Sequence, residues 1–274
     1  MIVLSLFDGM SCGRVALERA GVDVRDYYAS EIDKYATKVS HNNYSNIVRL
    51  GDVNDWESWN IPWESIDLLI GGFPCQSFSS SGKQGGFNDE RGQLFWRCVE
   101  ILQYIQHVNP EIKFMFENVK MSEANSNIIS EALGVDPVLI NSSLVSAQMR
   151  QRSYWANWSI TQPKAIDIKL QDVLEYGFVD REKSYCIDAN YHKGGDLNQY
   201  FNKSRRQLIF DKPVSCFGDA VDVGYRKLTP LECERLQTLP EGFSEGVSNT
   251  QRYKMIGNGW TVDVIAHILK LLPK

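Results

Sequence analysis

Through the first half of the chain, short apolar runs rich in β-branched residues alternate with longer amphipathic stretches. A strand buried on both faces reads as a continuous apolar run, whereas a crossover helix shows a single apolar stripe, so this rhythm predicts parallel strands joined by helices. The runs place strands over residues 2–6, 24–29, 66–70, 112–117, 138–141 and 154–158, with helices over 15–20, 34–41, 93–107 and 123–133. The expected fold class is α/β, with an open and mostly parallel sheet. From about residue 159 to 227 the alternation stops, the composition turns polar, and Lys-Gly-Gly-Asp (193–196) and Lys-Ser-Arg-Arg (203–206) appear. A separate lobe is expected there. Leu228 to Gln237 then reads as a helix with Thr229 as N-cap and Pro230 at its first position, and a last helix is expected over 261–272. The organisation predicted is a first domain over 1–158, a lobe over 159–227, and a segment over 228–274 returning to the first domain.

Composition narrows the partners. The 274 residues, 43% of them hydrophobic, suffice for one full core with a smaller lobe. A net charge of -5 gives the whole molecule no attraction to a polyanion, so contact with nucleic acid has to come from a local surface. The 159–227 segment carries 11 Lys and Arg against 10 Asp and Glu, a net +1, while the remainder carries -6. That bias falls where a reader of nucleic acid would need it. Six dispersed cysteines, with no Cys-x-x-Cys pair and no histidine cluster, argue against structural zinc, and no metal is expected. The apolar start of the chain is too short for a secretion signal, and no apolar run reaches membrane-spanning length. A soluble, cytoplasmic protein is expected; the sequence sets no oligomeric state, a monomer being one option.

Candidate chemistry gathers at strand ends. The first strand runs directly into Phe-Asp-Gly-Met-Ser-Cys-Gly (7–13), placing glycines where the chain must turn beside a ligand. The motif is not Gly-x-Gly-x-x-Gly and has no Lys-Ser/Thr pair, which argues against a dinucleotide or ATP. Glu31 and Asp52 follow the next two strands; one is suited to a ribose diol and the other to an adenine amino group, although either alone equally suits a solvated loop end. Cys75, in Gly-Gly-Phe-Pro-Cys-Gln (71–76), sits on the loop after the strand at 66–70. A cysteine so placed is ordinarily inert filler. Here a polar, glycine-punctuated stretch from Ser77 to Arg91 follows it and has the composition of a mobile lid, which points to a thiolate nucleophile. Glu117 ends another strand, and Gln148, Arg150 and Arg152 form Gln-x-Arg-x-Arg before the strand at 154–158. Alternate residues of an extended segment face one way, so the guanidiniums are expected to share a pocket, one orienting Glu117 and one binding a carbonyl. Binding a phosphate or coating a surface remain equal alternatives for the pair.

The order of these motifs resembles the DNA (cytosine 5)-methyltransferase family from end to end. The resemblance rests on Phe-Asp-Gly (7–9), Glu31, Asp52, Pro-Cys-Gln (74–76), Arg-Gly-Gln-Leu-Phe (91–95), Glu-Asn-Val (117–119), Gln-x-Arg-x-Arg (148–152), Arg-Lys-Leu-Thr-Pro-x-Glu-Cys (226–233) and Gly-Asn-Gly (257–259). It implies a seven-stranded, Rossmann-like S-adenosylmethionine-dependent sheet with a target-recognition lobe in the 159–227 gap. Cofactor contacts are implied at Phe7, Asp8, Gly9, Met10, Ser11, Cys12, Glu31, Ile32, Asp52, Val53, Pro74, Leu94, Asn258, Gly259 and Trp260. The implied partner is double-stranded DNA, met by Ser79, Ser81 and Lys83 in the lid and by Lys203, Arg205 and Arg206 in the lobe; a solvated charge pair is an equal reading of Arg205 and Arg206. Catalysis is implied to proceed by base flipping, addition of Cys75 to carbon 6, support of N3 by Glu117, and methylation at carbon 5. In detail the motifs look closest to the animal de novo DNA methyltransferases, through Leu-Phe-Asp-Gly (6–9), Val-Ser-Ala (145–147) and Gly-x-x-Trp (257–260). The absence of those enzymes' regulatory domains points to a stand-alone bacterial or phage modification enzyme. Two departures stand out: Ser11 and Cys12 replace glycines of the usual bacterial first loop, and Ile32 replaces the aromatic residue that commonly stacks on adenine. A tRNA cytosine methyltransferase on the same scaffold is the nearest rival, and its Cys-Phe-Thr tripeptide is absent. A silent cofactor-binding regulator is the other, and such a protein should have lost Cys75, Glu117 or an arginine.

Overall fold

A computed structural model of the chain describes residues 1–74 and 90–273. In chain order the elements are β1 (Ile2–Leu6), α1 (Cys12–Ala20), β2 (Asp26–Ser30), α2 (Lys34–Asn43), β3 (Val48–Gly51), β4 (Leu68–Gly71), α3 (Glu90–Val108), β5 (Lys113–Val119), α4 (Glu123–Leu133), β6 (Val138–Asn141) and β7 (Gln151–Ala156). They are followed by α5 (Leu197–Lys203), β8 (Leu208–Phe210), α6 (Phe217–Ala220), β9 (Tyr225–Lys227), α7 (Pro230–Leu236), α8 (Asn249–Asn258) and α9 (Val262–Lys270).

Strands β1 to β7 form one sheet in the order β3-β2-β1-β4-β5-β7-β6. β1 pairs in parallel with β2 and β4, β2 with β3, and β4 with β5, whereas β7 runs antiparallel to β5. The apolar runs behave as expected of strands covered on both faces: every residue of β1 and β4 is buried. Leu4, Leu6, Leu69, Phe114, Phe116 and Trp155 share one core with Ile101, Leu102 and Ile105 of α3. Gly71, which ends β4, is required by space. A Cβ there would stand 3.2 Å from the Leu6 carbonyl oxygen and 3.3 Å from the Phe116 ring, tighter than ordinary contact.

The chain separates into two compact units. The first comprises Met1–Ile140, Gln151–Gln162 and Ala266–Lys274; the second comprises Asn141–Arg150 and Pro163–Ile265. The segment expected to return to the first domain is therefore divided, with 228–265 grouping in the second unit. Within the second unit, β8 and β9 form a two-stranded antiparallel ribbon over a small core of Tyr200, Leu208, Phe210, Val214 and Ala220. Thr229 caps α7 in a capping box with Glu232, and Pro230 opens the helix, as the sequence predicts. Strand β3 and helix α8 were not predicted, and the last strand of the sheet starts at Gln151 rather than at 154. No described helix is long and apolar enough to cross a membrane.

Candidate active site

Parallel strands deliver their following loops to one edge of a sheet. The loop after β1 turns through three left-handed residues, Phe7 (φ 55°), Gly9 (φ 60°) and Ser11 (φ 67°). Glu31, directly after β2, accepts the backbone N–H groups of Gly9 at 2.8 Å, Ile32 at 2.8 Å and Asp33 at 2.7 Å. These three donors fix the carboxylate and leave about one lone pair, on Oε2, for a further donor. Burial raises its pKa above the ordinary carboxylate value, with the three N–H groups opposing. Asp52, after β3, accepts the backbone and side-chain N–H groups of Asn54 on Oδ1, and the next residue, Val53, is buried. Ile32, next to Glu31, is 74% exposed and presents an apolar face to solvent. Leu94 lines a cleft of about 460 Å³ with Asn54, Gln93, Trp96, Arg97 and Glu100. Two oriented carboxylates with spare acceptor capacity and an exposed apolar side chain form a set that fits the donors and the apolar face of a nucleoside.

Asp8 stands differently from the other acidic residues. Its Oδ1 accepts hydroxyls from Ser5 at 2.6 Å and Tyr27 at 2.7 Å, and its Oδ2 accepts the Ser11 hydroxyl at 2.5 Å. The carboxylate faces the protein interior. Burial raises its pKa, and the three hydroxyl donors oppose that rise. Met10, Ser11 and Cys12 are buried, so their side chains too are taken up by the interior.

The ends of β5 and β7 form the second half of this edge. Glu117 faces Tyr154 and Val119 faces Arg152 across the antiparallel pair, which puts Glu117 and Arg152 on one face as diagonal neighbours. Arg152 Nε lies 3.0 Å from Glu117 Oε1, with both side chains mostly buried. Asn118, on the opposite face, donates its Nδ2 to the Phe73 carbonyl at 3.0 Å and accepts the Val119 N–H at 2.8 Å. It thereby ties β5 to the backbone two residues before Cys75, and Phe73 is further held against Phe95 at 5.0 Å between ring centroids. Pro74 is half-buried at the end of that tie. Cys75 and the residues after it through Asp89, among them Ser79, Ser81 and Lys83, lie outside the described residues.

Arg150 does not share the task of Arg152. It precedes β7, so the two-residue alternation of a strand does not govern it. It is 3% exposed, and its guanidinium donates to the carbonyls of Ile187 (3.0 Å), Gly257 (3.2 Å) and Gly259 (2.9 Å). Gln237 Nε2 also reaches the Gly259 carbonyl, at 3.1 Å. Arg150 and Gln237, the latter lying in no motif of the sequence, thus brace the backbone around Asn258. Asn258 ends α8 with its side chain exposed, and Trp260 is half-buried. Gly257 cannot carry a side chain, because a Cβ would lie 2.3 Å from the Asp188 carbonyl carbon.

The basic candidates of the second unit also separate. Lys203 is exposed, and Arg205 is exposed with only a 3.8 Å approach to Asp188. Arg206, at φ 57°, donates to the Gly194 carbonyl at 2.6 Å and to Gln199 Oε1 at 3.3 Å. It is a brace for its own loop. Among the described residues, no group of three or more His, Cys, Asp or Glu could hold a metal ion.

A seven-stranded, mostly parallel sheet with one strand reversed beside β5 defines the class: the Rossmann-like fold of S-adenosylmethionine-dependent methyltransferases. The profile of the C-5 cytosine-specific DNA methylases matches residues 1–133 and 140–274, and the chain belongs to that family. It is an enzyme, a DNA (cytosine-5-)-methyltransferase. The Type II methyltransferase M.HhaI of Haemophilus parahaemolyticus is 28% identical, over 97% of this chain and 92% of its own length. The orphan methyltransferase M.SPRI of Bacillus phage SPR is 36% identical over 64% of this chain and 42% of its own. Among solved structures, the methyltransferase EhMeth of Entamoeba histolytica has the same fold, with a TM-score of 0.76 at 16% identity over 99% of this chain and 97% of that one.

Proposed function

We propose that this enzyme methylates carbon 5 of a cytosine flipped out of duplex DNA, through a covalent adduct with Cys75. The observation that carries the reading is the Glu117–Arg152 pair, set on β5 and β7 beside the strand end from which Asn118 holds the Phe73 carbonyl. Carbon 5 of cytosine is a poor nucleophile. Formation of a bond between the Cys75 sulfur and carbon 6 moves electron density onto N3 and makes carbon 5 enamine-like. Glu117 supports that step by donating a hydrogen bond or proton to N3, and Arg152 orients its carboxyl group. S-adenosylmethionine, when bound, supplies the methyl group that carbon 5 takes up. Loss of the carbon 5 proton then expels the thiolate and restores the ring. Glu31 would hold the ribose diol and Asp52 the adenine amino group of the cofactor, with Ile32 against the base. Arg150 and Gln237 serve by bracing the Asn258 backbone. Base readout falls to the second unit, where Lys203 and Arg205 are exposed for DNA.

Bisulfite sequencing of plasmid DNA from cells expressing the protein tests activity and target together. Converted cytosines should be interrupted by protected ones in a defined sequence. Cys75→Ser should abolish methylation while S-adenosylmethionine still binds; wild-type turnover in that variant would end the covalent mechanism. Transfer of label to tRNA in place of duplex DNA would overturn the substrate assignment.

A further inference from the structure

Ser11 carries a side chain in the left-handed region of backbone space (φ 67°, ψ 39°), where glycine would be free of strain. Its hydroxyl gives the position a role. Ser11 Oγ lies 2.5 Å from Asp8 Oδ2 and 2.6 Å from Ser40 Oγ, and Arg49 Nη2 lies 3.0 Å from that same Ser40 Oγ. The ends of this series decide the direction of every hydrogen in it. A guanidinium only donates and an ionised carboxylate only accepts. Arg49 therefore donates to Ser40, Ser40 to Ser11, and Ser11 to Asp8. The result is an ion pair bridged by two buried hydroxyls, each polarised by the last. It starts on β3, passes through α2 and ends at the turn after β1.

The turn at its end is the one that holds Glu31. The Asp8 N–H donates to the Ser30 carbonyl at 3.0 Å, and the next residue, Gly9, donates to Glu31 Oε2 at 2.8 Å. With Ser5 and Tyr27 on its other oxygen, Asp8 is committed to the interior. We propose that the Arg49–Ser40–Ser11–Asp8 series is a positioning device for the cofactor edge: it fixes the Asp8–Gly9 turn, and through Gly9 the direction of the Glu31 carboxylate. Asp8 and Ser11 then act as positioning residues from beneath the site. The proposal rests on the reading of this edge as the cofactor site.

The test is calorimetric titration of the full chain with S-adenosylhomocysteine, for wild type, Ser40→Ala, Arg49→Met and the double variant, alongside their ligand-free melting points. Ser40→Ala removes one oxygen and should weaken binding roughly tenfold, the scale of a hydrogen bond to a charged group. In turnover the loss should fall on KM for the methyl donor rather than on kcat. The double variant should bind within about twofold of the weaker single, because a broken series cannot be broken twice. If Arg49→Met does not fold, Ser11→Ala takes its place in the cycle. Wild-type affinity in Ser40→Ala, or losses that multiply in the double variant, would overturn the proposal while leaving the enzymatic reading intact. A wild-type protein that does not bind S-adenosylhomocysteine at all would overturn both.

Discussion

Asn118 offers the sharpest single perturbation of the site. Its side chain is 1% exposed, donates to the Phe73 carbonyl at 3.0 Å and accepts the Val119 N–H at 2.8 Å. Asn118→Ala leaves the Phe73 carbonyl without this donor in a buried place, at a cost of about 1–3 kcal/mol in stability. Asn118→Asp keeps the acceptor for Val119 but turns an oxygen toward the Phe73 carbonyl, so it should cost more than the alanine. Both loosen the backbone two residues before Cys75. A displacement of about 1 Å at a reacting group is worth on the order of a hundredfold in rate. Urea unfolding should show a lower midpoint at unchanged slope, and single-turnover methyl transfer should fall by about that hundredfold. If both variants transfer methyl within about threefold of wild type, Asn118 does not set the position of the proposed nucleophile.

Two other outcomes follow from the geometry. Burial raises the pKa of Glu31, so the folded state holds that proton more tightly than the unfolded chain does. Stability contributed at this position is present below the ordinary carboxylate pKa and is lost as pH rises through the raised one. Urea midpoints measured across that window should therefore decline with pH more in wild type than in Glu31→Gln, and parallel curves would contradict the assignment. Arg205 and Arg206 should separate in DNA-binding titrations across salt concentrations. Arg205→Ala should lower the salt slope by about 1 at unchanged melting point, whereas Arg206→Ala, which loses its bonds to Gly194 and Gln199, should lower the melting point. Equal effects from the two would refute the distinction.

Much of the first unit was legible because burial on both faces writes itself as an apolar run: β1, β6 and α4 begin and end where the pattern places them. β3 was missed since, as a four-residue strand at the sheet edge with no fully buried residue, it has no such run, although the position of Asp52 implies a strand before it. α8 escaped because Tyr253, Met255, Ile256 and Gly257 are its buried residues, a set too uneven to show a helical stripe. The place of Glu31 directly after a strand was legible as well. Arg150 departs from the expected alternation for a local reason: it precedes β7, where strand geometry does not govern it. Nothing in the sequence separates the role of Asn118 from that of Glu117, because neighbours in a strand face opposite sides and meet different partners.

The reversed strand β7 makes the chemistry proposed for Glu117 depend on parity. Arg152 meets Glu117 only while the pairing of 117 with 154 holds, and a slip by one residue would turn the guanidinium to the other face. What resists that slip is Trp155, wholly buried opposite Phe116 in the core and hydrogen-bonded to Ser130 at 3.1 Å. A residue with no part in the reaction thus acts as its index pin. Damage to the indole would be read at the bench as a catalytic defect.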